Sequence, residues 1–311
     1  MNTVSNKIRF IVIPYFLLLV TFIGIYCCLD WFLFVRSNNF EVNEKYINVY
    51  IPAAFSFLPT FLIIKRIKLL NLNASNGSWL YFIWVIVWVS FLMPALGSNS
   101  FLGSYGGKLT TLDSITQINT SANTKFYKVN HFFVDKDQAT SYTTPQWLSS
   151  RANSSLYYSV FYAIPLLNSS ADTSMHVCRA FLGIRYESEK IDQENFPKLN
   201  ENERNKLWDK FLAHSDSDFK QRNFSTFVYL EKLGVTDDHS NYSKAANSSI
   251  FSNGAEQPIL IPNNTMFEDR NKASGYTWYL LFFCLSFIVN LSLIFSLKFD
   301  EYNLKEFKSS K

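Results

Sequence analysis

The side chains that could start chemistry in this chain are few. All four histidines (His131, His176, His214 and His239) lie in the polar stretch 97–275, as does one of the four cysteines, Cys178. His176 and Cys178 are two residues apart, the spacing that puts side chains on one face of a strand. A thiol beside an imidazole can pair a nucleophile with its base, although a cysteine in an apolar strand is more often a small buried hydrophobe. An enzyme would take His131 or His176 as its general base. His214 precedes Asp216 and Asp218, a spacing that fits a solvated helix face better than a cation loop. His239 follows Asp237 and Asp238 in a polar segment. No two histidines lie within five residues of each other, and no His-Glu-x-x-His occurs, so no metal site is expected. The glycine-rich Gly103-Ser104-Tyr105-Gly106-Gly107 lacks the Gly-Lys-Ser/Thr ending of a phosphate loop and reads as a flexible exit from a hydrophobic segment. No Gly-x-Ser-x-Gly elbow is present. The candidate binding residues are therefore His131, His176 and Cys178, with no catalytic set, no metal and no cofactor.

The elements that must position these residues come from two unlike materials. The 311 residues are 48% hydrophobic and 17% charged, against about 25% charged in an average soluble domain. The apolar residues concentrate in four segments, about 10–31, 47–64, 79–96 and 277–297. Each is near the length of about 20 residues needed to cross hydrocarbon. The first is too long for a signal-peptide core, and no small-x-small cleavage site follows it. It is expected to remain as a span. Asp30 closes it and is expected to reach headgroups or water. Cys27, Cys28 and Cys284 lie within spans, which leaves Cys178 without a disulfide partner in the polar stretch. Trp31, Trp79, Trp278 and Tyr279 mark span ends. Pro14, Pro52, Pro59 and Pro94 are expected to kink their helices, and Asn290 is expected to bond a neighbouring helix.

Lysine and arginine give the direction. Lys7 and Arg9 precede the first span, Lys65, Arg66 and Lys68 follow the second, and Lys298, Lys305, Lys308 and Lys311 follow the fourth. With four spans these segments share one side, predicted cytoplasmic. Residues 1–96 then form a membrane region, 97–275 an extracytoplasmic α+β domain between spans 3 and 4, and 276–311 the last span and a cytoplasmic tail. The net charge of +4 forms no basic stripe, so no nucleic-acid partner is expected.

Within the polar stretch, 109–118 permits a helix or an irregular strand. Segments 126–134, 156–164 and 177–186 are rich in aromatic and β-branched residues and predict strands. Asn200 and Glu203 have capping-box spacing. They open a helix whose stripe is Leu207, Trp208, Phe211, Leu212 and Phe219. Segment 224–230 predicts another strand, 234–256 a mobile loop, and 259–262 a short edge strand. The simplest packing is an antiparallel or mixed sheet with a helix on it. Sequons at Asn119, Asn153, Asn168, Asn223, Asn241, Asn247 and Asn263 are common by chance in a chain this rich in Asn and Ser, and a bacterial origin is the favoured reading.

Three short patterns carry a family resemblance. They are Gly106-Gly107-Lys108-Leu109-Thr110-Thr111-Leu112, Lys125-Phe126-Tyr127 with Phe133-Val134-Asp135-Lys136, and Ser159-Val160-Phe161-Tyr162-Ala163-Ile164-Pro165. With the span arrangement, they resemble the N-terminal non-catalytic membrane region of bacterial rhomboid-family intramembrane proteases. That family cleaves with a serine in a Gly-x-Ser-Gly loop and a histidine on a membrane helix. Neither occurs here, so the resemblance implies an accessory region without proteolysis.

The leading expectation is a non-catalytic protein of the bacterial inner (plasma) membrane, embedded in the lipid bilayer, with a protein partner or a second copy of itself. A membrane-anchored hydrolase at the outer face and a transport or channel subunit are the alternatives. Scarce charge within the spans weighs against ion-coupled transport.

Overall fold

The computed structural model describes residues 3–36, 42–70, 78–149, 154–176, 178–189, 191–192, 200–224, 227–252, 257–270, 275–300 and 302–305. The Asn153 sequon, Val177, Lys308 and Lys311 lie outside these residues, as do the Trp79 side chain and parts of 149–155 and 234–256. The chain divides into two units, Met1–Gly107 with Arg270–Lys311, and Lys108–Asp269. In chain order the principal helices are α1 (Thr3–Leu33), α2 (Tyr46–Ile67), α3 (Ser78–Tyr105), α4 (Glu201–Gln221), α5 (Asp237–Asn247) and α6 (Gly275–Ser296).

The first unit holds four helices long and apolar enough to cross a membrane, α1, α2, α3 and α6. Their shared core repeats at helical spacing: Ile11, Tyr15, Leu19 and Ile23 on α1, Ile83, Val87, Phe91 and Ala95 on α3. Outward positions such as Leu17, Val20, Leu58, Leu62 and Leu285 are apolar too, as helices surrounded by lipid require. Polar side chains are turned inward. The Tyr15 hydroxyl donates to Ser90 Oγ at 3.0 Å, and the Ser286 hydroxyl donates to the Ser90 carbonyl. Asn290 was expected to make such an interhelical bond. Its amide instead donates to Ser286 O in its own helix at 3.0 Å, because Ser286 already spans the gap to α3. Gly97 lets α3 and α6 approach closely, since a Cβ there would stand 3.1 Å from the Phe282 ring and 3.3 Å from Tyr279 Cα.

The prolines shape these helices locally. Pro14 and Pro52 each follow a stretch of π-helix, Ile8–Val12 and Tyr46–Tyr50. Pro59 has no N–H to give Phe55 O. The helix breaks at Ser56, whose hydroxyl donates to Pro52 O at 2.7 Å. Pro94 sits inside α3. That helix continues to Tyr105, where a flexible exit was expected, because the apolar residues Phe101 and Leu102 extend it past Pro94.

The second unit is a mixed sheet in the order β1-β2-β8-β9-β6-β5-β3, with β4 and β7 also paired to β5. The strands are β1 (Leu109–Ser114), β2 (Phe126–His131), β3 (Phe133–Val134), β4 (Thr140–Ser149), β5 (Ser154–Leu167), β6 (Ala180–Glu187), β7 (Ile191–Asp192), β8 (Tyr229–Lys232) and β9 (Ile259–Asn263). β1–β2 and β6–β9 are parallel, and the other pairs are antiparallel. β5 organises the sheet because it is apolar in both directions. Leu156, Tyr158, Val160, Tyr162, Ile164 and Leu166 point into the core under α4. Phe161, Ala163 and Leu167 point into the core under α5.

Several expectations give way. Segment 234–256 contains α5, nucleated by Thr236, whose hydroxyl accepts from His239 N at 3.0 Å. Its buried stripe of Tyr242, Ala245 and Ala246 is small and interrupted by Ser and Asn, so hydrophobic periodicity is faint. The strand expected over 224–230 falls at Tyr229–Lys232, and Phe224 instead joins the α4 core. The 259–262 strand is interior, between β8 and β6, and not at an edge. β4 escaped notice because it is polar and holds Pro145, which fits a strand paired on one side. Helix α4 has the predicted capping box, and Phe211 and Phe219 are buried, but Leu207 is 40% exposed.

Gly183 on β6 faces α5. A Cβ there would stand 3.0 Å from the Tyr242 ring, 3.0 Å from Ile259 and 2.9 Å from Ile261. Gly183→Ala is expected to destabilise the full chain by about 1–3 kcal/mol through overpacking. Denaturant unfolding in detergent reads this, and an unchanged midpoint would show that α5 does not seat as described.

Candidate functional site

A convergence of polar groups lies on the α5 face of the sheet, around Arg185. Alternation along β6 places Phe181, Gly183, Arg185 and Glu187 on this face. The register brings in Ser159 and Tyr157 from β5 and Gln146 from β4. The Arg185 guanidinium pairs with Asp238 of α5 at 2.7 Å and with Glu187 at 2.6 Å. It also donates to Gln146 Oε1 at 3.0 Å, the Tyr157 hydroxyl at 3.3 Å and Ser159 Oγ at 3.4 Å. Its plane lies over the Phe161 ring, 5.1 Å from the centroid. The Tyr157 hydroxyl donates to the same Gln146 oxygen. The arrangement joins three strands to a helix through a charge matched by two carboxylates. A guanidinium presents its donors in a rigid fork, so the cluster works as a clamp whose Glu187 side opens to solvent.

On the α4 face a second polar group is enclosed. The Tyr162 hydroxyl donates to Asp216, and its ring stacks on Phe219 with centroids 4.2 Å apart. Burial, and then the accepting carboxylate, push the phenol up from its ordinary value. The neighbouring Tyr186 hydroxyl is buried and has no partner among the described residues. Lys136 closes the far end of α4 by donating to the carbonyls of Lys220 and Arg222, a favourable use of a cation at a helix C-terminus.

The residues singled out by sequence fall in different places. His131 ends β2, exposed, opposite Ser114 of β1. His176 follows a single helical turn, Asp172–Met175, with φ of 51°. Its side chain is exposed, and its ring meets Phe251 edge-on at 5.6 Å. Cys178 is buried before β6 begins, and its thiol donates to Ala180 O at 2.8 Å. Burial pushes that thiol up to about 11, so at neutral pH it is a protonated hydrogen-bond donor and not a thiolate. His214 pairs with Asp218 at 3.5 Å on the outer face of α4. His239 lies 3.4 Å from Ser243 Oγ within α5. Among the described residues, no three His, Cys, Asp or Glu side chains are grouped to hold a metal.

In the membrane unit, Asp30 is 5% exposed at the end of α1, not at the open surface expected of it. One turn earlier, the Tyr26 hydroxyl donates to Asn99 Oδ1 at 2.8 Å, and the Asn99 amide donates to Ile47 O at 2.9 Å. These groups give one end of the bundle a polar interior.

The Arg185 clamp was missed by sequence. A visible clue existed, since one arginine interrupts the apolar run from Ala180 to Tyr186 and a charge there requires a partner. Its partner Asp238 was hidden in a segment read as loop. Comparison with protein families, characterised proteins and solved structures finds no match for the chain.

Two outcomes follow. Arg185→Met is expected to lower stability by about 1–3 kcal/mol, because Asp238 and Glu187 lose their partner while remaining partly solvated. A urea midpoint no lower than that of the parent would remove the clamp from the account. The Cys178 thiol is raised from 9.0 to about 11 in the folded chain. Its contribution is therefore complete below pH 9 and lost as pH climbs toward 11. Cys178→Ala should flatten the fall in stability over that window, and an identical slope in both proteins would contradict the burial of this thiol.

Proposed function

We propose that this chain is a non-catalytic integral membrane protein that displays Lys108–Asp269 outside the cytoplasm as a binding or assembly domain. One observation carries the orientation: three basic segments, distant in sequence, meet at one end of the bundle. Lys7 donates to Phe295 O and Leu297 O. Arg66 donates to Phe10 O at 3.2 Å. Leu70 forms a bridge with Phe299, and Asn303 donates to Lys68 O at 2.9 Å. The N-terminus, the second loop and the segment after α6 therefore share an end, and lysine and arginine accumulate on the cytoplasmic side of a membrane protein. A bacterial inner membrane with both termini cytoplasmic fits this pattern.

The binding reading is supported by how the domain uses its polar groups. Arg185, Asp238, Asp216 and Lys136 hold helices onto the sheet. Cys178 is enclosed and protonated. A hydrolase would need a nucleophile within reach of His131 or His176, whereas His176 rests on Phe251. The resemblance to the accessory region of rhomboid proteases points the same way.

The test is a topology measurement coupled to an assembly measurement. A cysteine placed at Ser141, an exposed position on β4, should react with a membrane-impermeant maleimide in intact cells. A tag after Lys311 should be reached only after permeabilisation. The reverse pattern would overturn the orientation. Cross-linking in the native membrane should capture a second copy or a protein partner, and a chain that remains monomeric throughout would overturn the assembly role.

A further inference from the structure

The basic end of the bundle is more than a marker of direction, because its cations divide into two sets. Lys7 and Arg66 are turned inward and donate to the main-chain carbonyls of Phe295, Leu297 and Phe10. Arg9, Lys65, Lys68, Lys298 and Lys305 are exposed, and none of them forms an ion pair among the described residues. The described carboxylate at this end is Asp300, with Glu301 beside it in sequence. Asp300 accepts from the backbone N–H groups of Tyr302 and Asn303 at 2.9 and 3.2 Å. It is engaged in shaping the turn that carries Lys305.

The surface is also built, not merely composed. The Leu70–Phe299 bridge, Asp300 N–H to Leu69 O at 2.8 Å, and Asn303 to Lys68 O hold the segment after α6 against the end of α2. Lys68 and Lys298 are thereby carried on neighbouring strands of chain. Lys65 lies in the last turn of α2, and Lys298 lies two residues beyond the end of α6. Both helices end here, so their C-terminal carbonyls add negative potential that holds ammonium groups in place. The cations flank the ends of the apolar helices, which is where lipid phosphates would lie around helices that cross a bilayer.

We propose that this end is a binding surface for anionic phospholipid headgroups, with Lys65, Lys68, Lys298 and Lys305 as its phosphate contacts. It requires that the four helices lie in a bilayer, and it is independent of which side the sheet unit occupies. A failed topology measurement would leave it standing.

The experiment is native mass spectrometry of the detergent-purified full chain, titrated with phosphatidylglycerol or with phosphatidylethanolamine carrying the same acyl chains. Equal tails isolate the headgroup charge. Each basic residue near an anionic surface is worth roughly a fivefold change in binding, so phosphatidylglycerol should bind at least about tenfold more tightly. The combined variant K65Q/K68Q/K298Q/K305Q should lose that preference, and K65R/K68R/K298R/K305R should keep it. No preference in the parent, or a preference that survives in the glutamine variant, would overturn the proposal. So would inorganic phosphate displacing phosphatidylglycerol at equal concentration, which would mark a soluble-anion site. If the glutamine variant does not fold, the parent decides alone. Raising salt from about 0.1 M to about 1 M shortens the screening length from about 10 Å to about 3 Å. The preference should then vanish, and its persistence would overturn the proposal.

Discussion

A strand with apolar side chains on both faces can leave neither of them in water. β5 is such a strand, and the rest of the Lys108–Asp269 unit follows from covering it. Phe161 and Leu166 are fully enclosed on opposite faces, and burying a side chain of that size contributes about 1.5–3 kcal/mol. Helix α4 supplies Phe211 and Phe219 to one face, and α5 supplies Tyr242, Ala245 and Ala246 to the other. The two covers differ in kind. α4 brings large rings, whereas α5 approaches on small residues and needs Gly183 beneath Tyr242. A helix seated on so little apolar area benefits from a directional tie, and the Arg185–Asp238 pair at 2.7 Å provides it.

The membrane unit meets the same constraint in another solvent. Its outward positions are free to be apolar, so burial no longer separates inside from outside, and polar groups take over the specification of neighbours. Tyr15, Ser90 and Ser286 link α1, α3 and α6, while Tyr26 and Asn99 link α1, α3 and the backbone of α2. Lys7 and Arg66 turn inward only near the helix ends, onto main-chain carbonyls, and Arg9, Lys65, Lys68, Lys298 and Lys305 are exposed there. One solvent boundary thus accounts for both the internal hydroxyl contacts and the basic rim.

How far the sequence discloses this depends on how much of each signal is local. The four spans are legible because twenty apolar residues in a row have few other uses. The α4 cap is legible because Asn200 and Glu203 bond each other's backbone within one turn. α5 is not, since its periodicity rests on alanines and one tyrosine and its stability is supplied by the sheet. β4 is not, because most of its ten residues are polar and its order comes from pairing with β5. β9 reads as an edge until β6 and β8 are known to flank it, and nothing within 259–263 encodes that. For the candidate site, Arg185 is visible as an anomaly, but its partners come from four elements whose adjacency is long-range. Asn290 shows the converse: residue type announced a buried polar contact, and geometry assigned the interhelical part of it to Ser286.

The chemistry of the sheet unit turns on the protonation state of its enclosed groups. A nucleophile must lose a proton at working pH, and burial opposes that; at Cys178 burial outweighs the neighbouring Arg179, which favours the thiolate. Cys178 is enclosed by β5 and β6 and gives its proton to a carbonyl. Tyr162 gives its own to Asp216. In both cases the surroundings favour the neutral donor, which is the state that fixes structure. The charged groups that remain partly solvated, Arg185, Glu187 and Asp238, are matched to one another. Groups disposed in this way tie α4 and α5 to the sheet through directional contacts.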